Sequence, residues 1–209
     1  MRDVEVPWWG AVSAAAAPVL LIAGLTASAR LQPASFDAFN STVSSVAAPG
    51  AADSWVMSLT FVVVGAWDVV TGLALRPAAR AGRITLVGAG LAGVLVAAFP
   101  THLGGSLVHA WWAGIGFAGL TVWPVMARRR PPGAPWGLRP ANCWTVTVTL
   151  SALTLWFAVE QASQGPLIGI AERAAGTAQT LWPLIVVMSC RRLAPAEPEL
   201  AADALEPGR

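Results

Sequence analysis

At 209 residues the chain has the length of one domain, yet 56% of it is hydrophobic and only 11% charged, with a mean hydropathy of +0.61. That balance excludes an ordinary soluble domain. A formal charge of +2, carried by dispersed arginines and no lysine, also excludes a nucleic-acid surface, which needs a contiguous basic stripe.

The pattern predicts an all-α polytopic membrane protein, a six-helix bundle with spans over 8–28, 53–75, 84–99, 107–127, 142–160 and 169–190. Each approaches the roughly 20 apolar residues a bilayer core demands. The first span opens on Trp8 and Trp9, an interfacial anchor. Ala27-Ser28-Ala29 resembles a signal-peptide cleavage site, but Met-Arg-Asp-Val-Glu-Val is not a positive leader, so a retained anchor is expected. The stretch from Arg30 to Ala52 is rich in Ser, Ala and Pro with Phe36 and Phe39 as its large apolar side chains, a lid or a linker. Asn40-Ser41-Thr42 within it fits a glycosylation acceptor, relevant only on a eukaryotic secretory route.

The second span carries Asp68, the one charge clearly inside the hydrocarbon, eight residues before Arg76 and so about 12 Å from that boundary. A central charge costs at least ~2.5 kcal/mol and persists for a reason. Its expected role is either a helix–helix or Arg contact, or a proton donor or ion site. The third span is short, 16 residues between Arg83 and Pro100, or about 24 Å, which calls for a thinner bilayer or a loop that dips inward. Gly88-Ala-Gly90-Leu-Ala-Gly93 spells the dinucleotide-binding fingerprint, yet it lies mid-span without a preceding strand, so it reads as helix packing against Gly114, Gly116 and Gly119 of the fourth span.

Thr121-Val-Trp123-Pro124 in the fourth span and Thr180-Leu-Trp182-Pro183 in the last echo one another, either by duplication or by chance. Among the 11 tryptophans, Trp8, Trp9, Trp136 and Trp144 fit one interface and Trp55, Trp111 and Trp112 the other, while Trp67, Trp123, Trp156 and Trp182 sit deeper as packing or cavity residues. Residues 194–209, acidic and poor in apolar side chains, are expected to be a disordered cytoplasmic tail beyond a membrane domain of residues 1–193.

Orientation follows from arginine. With the N-terminus inside, the inner segments hold Arg2, Arg76, Arg80, Arg83, Arg128, Arg129, Arg130, Arg139, Arg191, Arg192 and Arg209, and the outer ones only Arg30 and Arg173. Positive residues are retained on the cytoplasmic side, so both termini are expected there, and Cys143 and Cys190 share that side as reduced thiols. Counting from the arginines, His109, Glu160 and Glu172 lie about 28 to 32 Å away, in one outer layer with His102, Asp53 and Arg173. This layer either marks where helices leave the membrane or forms an outward-facing pocket with His102, His109, Glu160, Glu172, Arg173 and Asp53 as ligand-binding groups. No His-x-x-x-His or Glu-x-x-His pair is present, so no metal and no cofactor is expected.

Ala97-Ala98-Phe99-Pro100, His102 in the short loop, His109 opening the fourth span, and Glu172-Arg173 followed by Trp182 together resemble the bacterial domain-of-unknown-function 998 family of multi-span membrane proteins. The resemblance runs from about Trp9 to Arg192. In that family an acid often stands near the position of His102, where this chain departs. It implies the multi-span fold and no particular activity. The functional expectation is therefore a membrane protein that binds or handles a lipid or small amphiphile at the outer pocket. The alternatives are an intramembrane enzyme acting on a lipid or isoprenoid by acid catalysis, with Asp68 or Glu160 as the acid, and a small transporter. Membrane lipids are the expected partners, not nucleic acid.

Overall fold

The computed structural model describes residues 5–101, 106–130 and 132–192. His102 and the tail from 194 to 209 fall outside these residues. Six long helices dominate: α1 (Trp8–Leu31), α3 (Ser54–Ala74), α4 (Arg80–Ala98), α5 (Leu107–Ala127), α6 (Pro140–Ser163) and α7 (Ile168–Arg191), with a single turn, α2 (Val43–Val46), in the α1–α3 connection. Five of them, α1 and α3 to α6, are long and apolar enough to cross a membrane. Lipid favours this all-helical solution because a helix satisfies its own backbone groups.

Local chemistry sets the ends. Pro7 in extended conformation precedes α1, and Pro140 occupies the first turn of α6, where a missing N–H costs nothing. The Ser106 side chain caps α5 by accepting the His109 N–H at 3.3 Å, and Thr42 caps α2 by accepting the Ser45 N–H at 3.1 Å. Gln164, in the left-handed region at φ 52°, ends α6 and turns the chain into α7. Helix α4 is longer than the predicted third span, because Arg80 and Arg83 are helical. Arg83 remains in the helix by turning back on α3, donating to Gly72 O at 3.1 Å and Leu73 O at 2.8 Å, both carbonyls at the end of that helix. At 19 residues α4 reaches about 28 Å, so the shortfall of the predicted span disappears.

Each long helix packs on its neighbour in the chain, and α7 packs on α1, so the six close into a ring. Glycines set the α3–α4 crossing: a Cβ on Gly65 would stand 2.5 Å from Gly90 O, and the reverse holds for Gly90 against Gly65 O. The fingerprint glycines Gly90 and Gly93 thus face α3. Gly116 and Gly119 of α5 meet Ala92 and Ala89 of α4, whereas Gly88 and Gly114 meet nothing. Helix packing is the role of these glycines, with α3 rather than α5 as the main partner.

The arginine-bearing connections gather at one end. Ala79 N–H donates to Ala127 O at 3.1 Å, Arg129 N–H to Leu138 O at 2.7 Å, and Gly137 N–H to Ser189 Oγ at 3.1 Å, which ties the α3–α4 and α5–α6 turns to the end of α7. A core of Leu75, Leu86, Trp123, Leu138, Trp182 and Val186 fills this half. The two Thr-x-Trp-Pro segments are alike here, each with its threonine, tryptophan and proline buried. A second core of Leu21, Val43, Val46, Met57 and Val64 fills the opposite half. Large apolar side chains cover the outside of the bundle, among them Val19, Ile84, Val148 and Leu155, each 60% exposed or more. Such a surface matches hydrocarbon and not water.

Candidate functional site

The site lies between the two cores and at the end away from the arginines. The α1–α3 connection folds over that end and is held there by α7. Gly169 N–H donates to Phe39 O at 2.8 Å. Arg173 places one guanidinium nitrogen against three carbonyls, Ala38 O at 2.8 Å, Ser41 O at 2.9 Å and Gly169 O at 2.9 Å. Glu172, buried, accepts the Val43 N–H at 2.6 Å and faces the Ser44 hydroxyl at 3.4 Å. The connection is therefore a lid in its packing, clasped by the first turn of α7.

His109, also buried, reaches the same lid from α5, with Nδ1 3.0 Å from Phe99 O and Nε2 3.1 Å from Ser44 Oγ. A carbonyl only accepts, so Nδ1–H is the donor to Phe99 O. Ser44 then has one hydroxyl hydrogen for two neighbours. It donates to Glu172 when Nε2 carries a proton, or to Nε2 when Glu172 carries one. Ser44 thus bridges His109 and Glu172.

Two spaces meet at this chain. A central cavity of about 130 Å³ runs inside the ring, bounded by α1, α2, α3, α4, α5 and α7, and reaches from Glu172 and Arg173 to Asp68 on α3. Its walls are mostly apolar, including Leu21, Phe61, Val64 and Leu120. A larger groove of about 520 Å³ lies between α5 and α6, with Ser44, His109 and Glu172 at the lid end and Gly114, Phe117 and Phe157 further along. Ser44, Ala113, Phe117 and Glu172 belong to both. Phe117 and Phe157 pack with ring centroids 5.2 Å apart.

Below them Gln179, fully buried on α7, donates through its amide nitrogen to Phe117 O at 3.1 Å, Thr121 Oγ1 at 3.0 Å and Thr154 Oγ1 at 3.2 Å. Thr121 and Thr154 are themselves 2.9 Å apart. This knot joins α5, α6 and α7. Asp68 has no such support: it is 3% exposed, and its Oδ1 is buried without a hydrogen-bond partner among the described residues. Among the described residues neither a second helix nor an arginine satisfies it, and Arg83 serves the end of α3 instead.

Of the predicted outer layer, the structure brings His109, Glu172 and Arg173 together around the lid. Asp53 stands apart, exposed at φ 47° before α3 and accepting from Trp55 Nε1 at 3.2 Å. Glu160 also stands apart. It accepts from Trp156 Nε1 at 3.3 Å and from Leu167 N–H at 3.1 Å, tying α6 to the start of α7, and borders neither space. The deep tryptophans Trp67, Trp123, Trp156 and Trp182 do not line the cavity; phenylalanines do. Ser44 and Gln179 were not singled out from the sequence. Gln179 had a signal, a lone amide seven residues after Glu172 on the same helix face, and Ser44 had none in a Ser-rich loop.

The family model described as "Protein of unknown function (DUF998)" matches residues 14–189, and the chain belongs to that family. No curated protein and no solved structure matches it.

Proposed function

We propose that this member of the unknown-function family binds a single-chain amphiphile in the groove between α5 and α6, with the polar head at Ser44, His109 and Glu172. The supporting observation is the groove's own gradient. Hydroxyls, imidazole and carboxyl crowd the lid end, and Ala110, Ala113, Gly114 and Ala118 leave room for a chain along α5. Apolar pockets with a few convergent polar groups are the usual form of small-molecule sites. The head is a hydroxyl or an amine rather than a phosphate, since no arginine among the described residues borders the groove.

In this reading the protein crosses the membrane six times. Helix α7 is less apolar than the other five because it carries Glu172, Arg173 and Gln179. Its 24 residues and its place in the ring between α6 and α1 support a sixth crossing. The arginine-bearing end and both termini face the cytoplasm, and the lid faces outward.

The test is cross-linking with a long-chain alcohol that carries a diazirine at mid-chain, added to membranes holding the full chain. Adducts are expected on residues 110–118 and 154–162. Gly114 lines the groove and an added Cβ there meets nothing within 4 Å, so Gly114→Leu should narrow the groove and cut those adducts about tenfold, the equivalent of ~1.4 kcal/mol of binding. Adducts spread evenly over the lipid-facing surfaces of α1 and α4, or an unchanged yield in Gly114→Leu, would sink the proposal.

A further inference from the structure

We infer that the central cavity is a second site, adjoining the groove, which takes a small apolar amine as its ammonium ion with Asp68 as the counter-ion. Asp68 is 97% withdrawn from solvent by its 3% exposure, lines the cavity, and presents a buried Oδ1 that no described residue satisfies. An unpartnered carboxyl group deep in a membrane protein is costly, and the two structural ways of relieving it are not used here.

The wall decides which ligand fits. A calcium or magnesium ion asks for six or more oxygen ligands, and the cavity that Asp68 lines is walled mostly by apolar side chains, among them Phe61, Val64, Ala89 and Leu120, with its other polar groups at Ser44, Glu172, Arg173, Gln179 and Thr180. A neutral apolar guest would leave the carboxyl group unsatisfied. An ammonium supplies both the donor and the opposite charge, and an apolar substituent suits the remaining wall. Gln179 provides a second acceptor: its amide nitrogen is committed to Phe117, Thr121 and Thr154, and no hydrogen bond among the described residues uses its amide oxygen. The size is informative too. At about 130 Å³, the cavity approaches the ~150 Å³ of an engineered apolar cavity that binds benzene. One six-membered ring with a short amine arm fills it.

The probe is benzylamine at neutral pH, compared with benzyl alcohol of nearly the same shape, by calorimetric titration of the full chain in detergent with empty micelles subtracted. The amine should bind about tenfold more tightly than the alcohol, the scale of one charge-assisted hydrogen bond in an apolar site. Asp68→Asn should bring the two within about twofold. Gly176→Leu keeps the acid and fills the cavity from a position where an added Cβ meets nothing within 4 Å; it should abolish binding of both, and so serves if Asp68→Asn does not fold. Equal affinities for amine and alcohol in the unaltered chain, or amine binding untouched by Gly176→Leu, would overturn the inference. Neither result bears on the long-chain alcohol in the α5–α6 groove, so the two proposals fail separately.

Discussion

His109 and Glu172 do not touch, yet both hold Ser44, and that arrangement fixes how their removal should combine. Glu172→Ala leaves the Val43 N–H, now bonded at 2.6 Å, buried with no acceptor, a loss of about 1–3 kcal/mol. His109→Ala takes away the contacts with Phe99 O and Ser44 Oγ, at 3.0 and 3.1 Å, a loss of about 1 kcal/mol on the same scale. Loss of either anchor should loosen residues 42–46 and weaken the remaining contact at Ser44, while Arg173 and the buried Val43 and Val46 still hold the segment. The double variant should therefore cost less than the sum, by about 1 kcal/mol, within the coupling range of residues that share a partner. Glu172→Gln keeps an acceptor for the Val43 N–H and should recover most of the stability. The assay is denaturant unfolding in mild detergent, followed by tryptophan fluorescence, with hydrogen exchange at the amides of α2 as the local readout. Additive losses to within about 0.5 kcal/mol, with exchange in α2 unchanged by the single variants, would refute the reasoning.

The glycine crossing gives a contrast between its two helices, α3 and α4. Gly65→Ala puts a methyl group 2.5 Å from Gly90 O and should destabilise the chain by about 1–3 kcal/mol, whereas Gly88→Ala, with nothing within 4 Å, should be neutral or stabilising by up to about 1 kcal/mol; equal effects in thermal unfolding would contradict the packing. For orientation, single cysteines at the exposed positions Ser45 and Ser163 should react with an impermeant thiol reagent in intact cells, and one at the exposed Pro132 should react only after lysis. Labelling of Pro132→Cys in intact cells would reverse the proposed topology.

Much of this architecture was readable from the chain because the bilayer constrains it so strongly. Long charge-free runs had to be helices, and the arginine groups had to lie at common ends. What depth along a helix could not supply was direction around it. His109, Glu160 and Glu172 were expected in one layer by their depth, but whether a side chain faces the ring or the α6–α7 turn depends on packing. That separates Glu172, buried against α2, from Glu160, which ties the start of α7. Helix α4 begins before the predicted span for a related reason. Hydropathy stops at Arg83, but the helix does not, because the carbonyls of Gly72 and Leu73 give that side chain a partner. The lid's contribution was invisible, since Ser44 carries no periodic signal in a loop of small residues and gains its role only from the two groups it meets.

The ring has a consequence for how the protein is made. Five helices are long and apolar enough to cross a membrane, but α7 carries Glu172, Arg173, Gln179 and Thr180 along the face that borders the cavity, and a solitary helix with that face in hydrocarbon would be poorly tolerated. In the proposed six-span reading the last helix needs a slot formed by the others, with Thr121 and Thr154 meeting Gln179 and the carbonyls of Ala38 and Ser41 meeting Arg173. Until it arrives, the threonine pair and the lid have no partner from α7. A chain cut short after α6 is left with an open seam lined by polar groups, a ready mark for membrane quality control.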